Sequence, residues 1–389
     1  TAKNLTALSS LSNVTAPSDK NFVGWAESAN STTKKYGNSE SVINLTASNG
    51  GVKKLYAIWK VEAKEYTATT QKNVSSATGN NTTAKCTIAE AYNGTAQATS
   101  CNITVPSNPY TLSSWTFNGW VNGGSNTTTS TKSGTKTGTM AISGNVNIIA
   151  TWQKTVAVSL TFDKNGGSAN TTSAAVNTTM YNGSTSLSAT LTFTAPSCTT
   201  RSGWTCLGYN TSASNTSSGW NVGATKSISV SGTVAIGATT FSKASGYYHI
   251  WSKTVTATWY YYSAGVKSTT SNCTMYNADP SCTASIPSAV SGSTGPYSNP
   301  YVGYTTATKS MSSSTTAPSI SANTSFYTVY RSEVKIYRPT SETTAGLITT
   351  YRNTYFTSTS AVSTVLVTST TGTTTMTSVS GILSGTLKG

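Results

Sequence analysis

The sequence Phe22-Val23-Gly24-Trp25, followed by Leu55-Tyr56-Ala57-Ile58-Trp59, decides the fold because both parts recur along the chain. A glycine followed by an aromatic residue occurs at Gly24-Trp25, Gly119-Trp120, Gly208-Tyr209 and Gly303-Tyr304. A closing aromatic residue follows each of them, at Trp59, Trp152, Trp259 and Tyr330. The first set of aromatic residues is spaced by 95, 89 and 95 positions, which indicates an internal repeat of roughly 90 residues.

A second marker keeps the same period. A Pro-Ser pair precedes each motif, with its proline at positions 17, 106, 196 and 287. We therefore expect four tandem modules and a C-terminal remainder. The predicted boundaries are 1–61, 62–155, 156–262 and 263–338 for modules one to four, and 339–389 for a strand-rich C-terminal segment.

The composition favours β-structure. Charged residues make up 9% of the chain and hydrophobic residues 36%, both below ordinary values. A disordered chain would also lack aromatic and β-branched residues, yet this one holds 21 tyrosines and 9 tryptophans with abundant threonine and valine. We predict an all-β or β-rich fold of small modules in tandem, forming an elongated rod with a strand-rich C-terminal segment.

The net charge of +15 arises from 25 basic and 10 acidic residues. One interpretation is attraction to an anionic polymer such as a polysaccharide. The other is plain solubility, because the basic residues are scattered and their tightest groups are Lys34-Lys35 and Lys53-Lys54. No nucleic-acid partner is expected. No stretch approaches the roughly 20 apolar residues that a membrane-spanning helix needs.

The six cysteines form close pairs, which favours disulfides and an oxidising, extracellular location over a zinc site. The pairs are Cys86 and Cys101, Cys198 and Cys206, and Cys273 and Cys282. The first pair flanks Tyr92-Asn93-Gly94, and a similar sequence occurs at Tyr181-Asn182-Gly183. Because Asn-Gly is a strong hairpin signal, we expect the first disulfide to join the two strands of a hairpin. Asn93 also begins one of many Asn-x-Ser/Thr sequences that allow glycosylation.

The two ends of the repeat differ. Opening strands are predicted at the Tyr66 region, Val156–Phe162 and Tyr260–Val266, whereas module one lacks one. The C-terminal segment instead carries strands with no module to complete. An unpaired edge is costly, so one interpretation is that a neighbouring copy donates a strand. The other is a truncated sequence whose C-terminal strands fold on themselves.

A family resemblance is carried by Leu160–Gly167, Leu207-Gly208-Tyr209 and Thr256–Trp259, and by the Phe22 and Leu55 segments of module one. The arrangement resembles the Listeria–Bacteroides repeat, or internalin-type B-repeat, a β-grasp-like module strung in tandem on bacterial surface proteins. The likeness covers about residues 1–338. The modules here are longer, contain cysteine pairs and carry less charge. The resemblance implies an extracellular stalk, adhesin or structural role without catalytic residues.

A search for chemistry finds no convincing site. His249 is the only histidine and has no acidic residue near it in sequence, so a packed histidine is the expected interpretation. The Asp163–Gly167 stretch suggests a calcium loop but lacks the later acidic ligands, which favours a turn. We predict no enzyme activity, no cofactor and no metal.

The aromatic residues allow two interpretations. Those of the repeated motif are expected in the core, where glycine lets the backbone pass beneath a ring and the closing aromatic packs on that ring. Tyr247, Tyr248 and Tyr261 are candidates for stacking against sugars, because consecutive strand residues alternate between faces. Edge or inter-module contacts are the alternative for these three.

These features predict an extracellular structural protein at the cell surface, a subunit of a filament, stalk or layer. Its expected partners are copies of itself, with a cell-surface glycan or anionic polymer as a further possibility. The alternative function is an adhesin or carbohydrate-binding surface protein.

Overall fold

The computed structural model describes residues 1–12, 14–295, 300–306, 313–341, 344–357 and 360–367, with side chains as far as Tyr330. Strands hold 49% of the residues and helix 2%, which confirms the predicted β-rich class. The chain divides into two compact units. Unit one comprises Thr1–Ser159, Ala175–Leu191 and Ile228–Phe241, and unit two comprises Leu160–Ala174, Thr192–Ser227 and Ser242–Gly389.

Strands β1 to β11 cover modules one and two and the start of module three. They are β1 (Lys3–Asn4), β2 (Asn21–Ala26), β3 (Ser41–Val42), β4 (Tyr56–Val61), β5 (Lys64–Gln71), β6 (Thr83–Ile88), β7 (Ala91–Tyr92), β8 (Cys101–Thr104), β9 (Thr116–Gly124), β10 (Thr139–Ile142) and β11 (Val146–Asp163). A single 3₁₀ turn lies at Leu8–Ser10 within this stretch.

The remaining elements follow in chain order. They are β12 (Thr171–Thr172), β13 (Val176–Tyr181), β14 (Ser186–Thr194), β15 (Thr205–Asn210), β16 (Thr225–Thr233), β17 (Thr240–Tyr262), β18 (Val266–Tyr276), β19 (Cys282–Thr283), helix α1 (Ser288–Ser291), β20 (Tyr301–Thr305), β21 (Ser319–Ile320), β22 (Thr324–Ser341), β23 (Thr344–Thr357) and β24 (Ser360–Val367). Residues 368–389 of the predicted C-terminal segment lie outside the described residues.

Module two, in unit one, is a mixed sheet in the order β6-β5-β11-β9. The opening strand β5 runs parallel to the closing strand β11, with Ala68–Gln71 beside Val146–Ile149. The outer strands β6 and β9 are antiparallel to their neighbours. A second pair, β8 and β10, covers one face. Its interior residues, among them Ile103, Trp120 and Ile148, are almost fully buried.

Module four, in unit two, repeats this order as β18-β17-β22-β20. Ala257–Tyr260 of the opening strand run parallel to Thr324–Tyr327 of the closing strand. The covering pair is β19 with β21. Trp259, Tyr304 and Phe326 form the centre of its core.

Module three corrects one predicted position. Gly208 pairs with Ile250 and Tyr209 with His249, so Trp251 holds the place that Trp59 and Trp152 hold in the earlier modules. The prediction of Trp259 as the closing aromatic of module three was therefore wrong. Trp259 lies in the part of β17 that opens module four and pairs with β18 and β22.

The repeated glycine marks a β-bulge at the same place in every module. At Gly119 φ is +108° and an added Cβ would lie 2.3 Å from the carbonyl oxygen of Gly134. The other three glycines also have positive φ, and a Cβ added to each would lie 2.7–2.9 Å from a backbone carbonyl oxygen of a crossing segment. The glycine thus admits a second backbone segment, whereas we expected it to accommodate an aromatic ring.

The closing tryptophan contacts the first residue of the motif. Trp59 lies 5.6 Å from Phe22 between ring centroids, and Trp152 lies 6.0 Å from Phe117. Each phenylalanine in turn packs edge-on against the tryptophan after the glycine, at 5.1 Å for Trp25. Trp25, Trp120 and Trp152 are buried, whereas Trp59 is half-buried. In both modules the phenylalanine mediates the contact between the two tryptophans.

All three predicted disulfides are present. Cys86–Cys101 joins β6 to β8 and Cys273–Cys282 joins β18 to β19, so each links the main sheet to the covering pair of its module. The expectation that Cys86–Cys101 crosses a hairpin was wrong, because β6 pairs with β5 and β8 pairs with β10. No helix among the described residues is long and apolar enough to cross a membrane.

Candidate functional site at the module junctions

Three asparagines adopt the left-handed conformation one repeat apart. They are Asn93, Asn182 and Asn277, with φ of 50°, 50° and 48°. Each follows a tyrosine and ends a strand of its own module. Asparagine tolerates this conformation better than most residues. The turn does not form a hairpin, since β13 before Asn182 pairs with β11 whereas β14 after it pairs with β16.

Each asparagine makes two hydrogen bonds to the closing tryptophan of the preceding module. The amide of Trp152 donates to Oδ1 of Asn182 at 2.9 Å, and the amide of Asn182 donates to the carbonyl oxygen of Trp152 at 2.9 Å. Trp251 and Asn277 repeat the pair at 2.9 and 3.0 Å. Trp59 and Asn93 do so at 3.1 and 2.8 Å. We call this arrangement the asparagine clamp.

The clamp also holds the loop that follows the glycine motif. The Nδ2 group of Asn93 donates to the carbonyl oxygen of Ser31 at 3.0 Å, that of Asn182 to Thr131 at 2.9 Å, and that of Asn277 to Asn215 at 2.6 Å. A side chain with both an acceptor and two donors satisfies a strand and a loop at once. Because its Nδ2 is engaged in this way, Asn93 is a structural residue in the folded chain.

A second asparagine supports the clamp at two junctions. Asn73 donates to the carbonyl oxygen of Thr129 at 3.2 Å and accepts from the Thr129 amide at 2.9 Å. Asn165 donates to the carbonyl oxygens of Ala213 and His249. The residue before each supporting asparagine is a lysine whose carbonyl accepts from the indole of the closing tryptophan. Junctions two and three therefore share one hydrogen-bond scheme.

The single histidine lies inside this scheme. His249 is fully buried between Tyr209 and Trp251, with ring centroids at 4.8 and 5.6 Å. Its Nδ1 lies 2.5 Å from the carbonyl oxygen of Asp163, so Nδ1 carries the proton. Burial lowers the pKa of His249, while its bond to the Asp163 carbonyl and the Asp163 charge oppose that shift. This packing fits the expected structural role.

A buried lysine makes a further contact between modules two and three. Lys154 is 2% exposed, and its ammonium group donates to the carbonyl oxygens of Ala235 and Ile236 at 3.1 and 3.0 Å. It also lies 4.8 Å from the Trp115 ring centroid. The Trp115 indole donates to the same Ile236 carbonyl at 2.7 Å. Burial lowers the pKa of Lys154.

The tyrosines proposed for sugar stacking are not gathered into one platform. Tyr261 packs against the core of module four. Tyr247 lies 5.1 Å from Trp220 between ring centroids, and Tyr248 is a half-buried partner of Asn210 in β15. Among the described residues, no three histidine, cysteine, aspartate or glutamate side chains come together as metal ligands would.

The clamp was missed at the sequence level although its signal is visible. Tyr-Asn-Gly and Tyr-Asn-Ala recur at spacings of 89 and 95, the period of the glycine motif. A turn interpretation considered only the neighbouring residues. Comparisons with protein-family models, characterised proteins and solved structures gave no match.

Proposed function

We propose that this chain is an extracellular structural protein of the tandem B-repeat kind, a subunit of a cell-surface filament, stalk or layer, without enzyme activity. The observation that carries the proposal is the asparagine clamp, which occurs at all three junctions of the four modules. A protein that transmits force or sets spacing needs junctions that hold their geometry. Each clamp supplies three hydrogen bonds that cross a junction.

Three disulfides support an extracellular setting, because disulfides persist in oxidising compartments. A disulfide limits how far a pulled module extends, and two of these bonds join the sheet of a module to its covering strands. A surface poor in charge and rich in hydroxyl groups suits side-by-side packing of subunits.

Assembly by strand exchange is part of the proposal. In modules two and four the closing strand has a parallel neighbour, whereas no described strand lies parallel to β4 in module one. Apolar side chains lie exposed in this module, with Ile43 63% and Val52 89% accessible. Strand β23 of the C-terminal segment pairs with β22 in the same chain, and β24 pairs with β23. A strand from the 339–389 segment of a second copy would have to leave that sheet to pair at the edge of module one.

Electron microscopy of the purified protein tests assembly. We expect regular polymers from the full chain and monomers after deletion of residues 341–389. Discrete monomers from the full chain would contradict the filament, and unchanged polymers after the deletion would contradict strand exchange.

A clamp variant tests the role of the junctions. Replacing Asn93, Asn182 and Asn277 by alanine should leave the modules folded but expose the held loops to limited proteolysis, at about 28–35, 126–134 and 211–218. Asn126→Ala is the matched control, because its side chain is exposed in the second of these loops and makes no hydrogen bond in the described structure. Equal cleavage of the triple variant and the control would show that the clamp does not hold the junctions.

A further inference from the structure

A surface cavity of about 240 Å³ lies beside the clamp of the second junction. Module two contributes Lys132, the residue after the clamped Thr131. Module three contributes strands β13 and β14. Its lining includes Lys132, Thr178, Thr179, Tyr181, Ser184 and Ser186. The volume lies just below the range of sites for drug-sized ligands, about 300–1,000 Å³, which suits a smaller molecule.

The cavity carries a cation without an anionic partner. The ammonium group of Lys132 lies 5.0 Å from the ring centroid of Tyr181. None of the ion pairs formed by the described residues includes Lys132, and no carboxylate lines the cavity. A ligand with a negative charge would therefore meet attraction without a competing carboxylate.

The rest of the lining fits a sugar. Tyr181 offers an aromatic ring, and five hydroxyl side chains share the lining with it, of which Ser184 donates to the carbonyl oxygen of Ser186 at 3.3 Å. Aromatic rings pack against the C–H face of a sugar while hydroxyl groups both donate and accept hydrogen bonds. We propose that this cavity binds a carboxylated sugar, such as a uronic acid residue of an anionic polysaccharide. Lys132 pairs with the carboxylate and Tyr181 packs against the ring.

The other two junctions carry a carboxylate near the clamp tyrosine. The residue that corresponds to Lys132 is Thr32 at the first junction and Thr216 at the third. At the first junction the hydroxyl of Tyr92 donates to Glu90 at 2.6 Å. At the third, a cavity of about 220 Å³ beside Tyr276 is lined by Asp279. The Asp279 carboxylate repels an acidic sugar, and the Glu90 carboxylate, which pairs with Lys60 at 3.4 Å, offers it no attraction. Of the three described junctions, the second is thus the one assigned to this ligand class.

Binding here would reach both sides of a clamped junction. Lys132 belongs to the loop held by Asn182, and Tyr181 directly precedes Asn182. A bound sugar would join the same two segments as the clamp. The site does not depend on whether the chain forms a filament, so polymerisation and sugar binding can be tested separately.

Isothermal titration calorimetry with the full chain tests the proposal. The probe is a galacturonic acid trisaccharide, and its carboxyl-reduced neutral form is the comparison. We expect binding of the acidic trisaccharide alone, weakening as salt rises. Lys132→Ala should weaken it about tenfold or more, and Tyr181→Ala should abolish it, whereas Tyr181→Phe should retain it.

Lys136→Ala is the control, because Lys136 is an exposed lysine of the same loop. Circular dichroism checks that each variant is folded. We expect Lys132→Ala to fold, because the Lys132 side chain is exposed. Absence of binding, equal binding of the neutral trisaccharide, or an equal loss in Lys136→Ala would overturn the proposal. Equally tight binding of a single-stranded oligonucleotide would also overturn it, since that outcome indicates a general affinity for anions.

Discussion

Modules two and four have the same strand order and the same disulfide position but fill their cores differently. In module two, the strand position opposite Ile148 is Thr70. The buried Tyr110 reaches it from the connection that follows the covering strand β8, and its hydroxyl donates to that of Thr70 at 2.9 Å. In module four the position opposite Phe326 is Trp259, and helix α1, in the connection that follows the covering strand β19, contributes the smaller Val290.

The comparison indicates that the two cores reach a similar filling with different residues. The volume at the opening-strand position and the volume of the residue that covers it change in opposite directions. A small strand residue goes with a large covering residue in module two, and the reverse holds in module four. Protein interiors are packed to near-crystal density, so one exchange requires the other.

The largest expected effect comes from breaking this compensation. Trp259→Thr should destabilise module four by about 3–5 kcal/mol, because it leaves a cavity between Tyr304 and Phe326. Thr70→Trp should destabilise module two by about 1–3 kcal/mol through overpacking. Adding Tyr110→Val to Thr70→Trp should restore part of the loss. Urea unfolding measures all three, and strictly additive effects would refute the compensation.

Removing the equivalent disulfides of modules two and four should lower stability by less than Trp259→Thr does. Cys86 and Cys101 are 15 residues apart and Cys273 and Cys282 are 9 apart. Chain entropy predicts losses of about 3 and about 2.5 kcal/mol for the paired Cys→Ser variants. Thermal unfolding checks that the loss of stability is larger for the Cys86–Cys101 variant than for the Cys273–Cys282 variant. A larger loss in module four would indicate that packing around the bond, and not chain entropy, controls its contribution.

The smallest expected effect is a pH dependence of stability that comes from one strand position. This position pairs with the aromatic residue after the motif glycine and holds Ala150 in module two, His249 in module three and Thr328 in module four. Burial holds the folded pKa of His249 below its unfolded value near 6.5. Between these two pKa values the unfolded chain binds more protons, so stability falls as pH drops below about 6.5.

The variant His249→Thr introduces the residue of module four. It should remove this acid-dependent loss, measured by tryptophan fluorescence during urea unfolding between pH 5 and 8. The parent chain at neutral pH is the reference. If His249→Thr retained the same pH dependence, another group would be responsible.

Much of the architecture was predictable from local patterns. The recurrence of Gly24, Gly119, Gly208 and Gly303 located four equivalent positions. The bulge and the crossing backbone at each of them were not predicted, because they depend on which distant segment meets the glycine. The cysteine pairs were correct because short spacing leaves few alternatives. The closing residue of module three was not predictable from spacing, since a longer insert separates Tyr209 from Trp251 and register depends on hydrogen bonds to the partner strand.

The sequence by itself determined the β-rich class, the repeat period and the disulfide pairs, because each depends on residues close together in the chain or on a strict recurrence. Only the tertiary structure decided the parallel pairing of opening and closing strands, the core compensation and the asparagine clamp. These depend on which distant segments meet. Asn182 and Trp152 are 30 residues apart, and only the folded chain brings their polar groups within hydrogen-bonding distance.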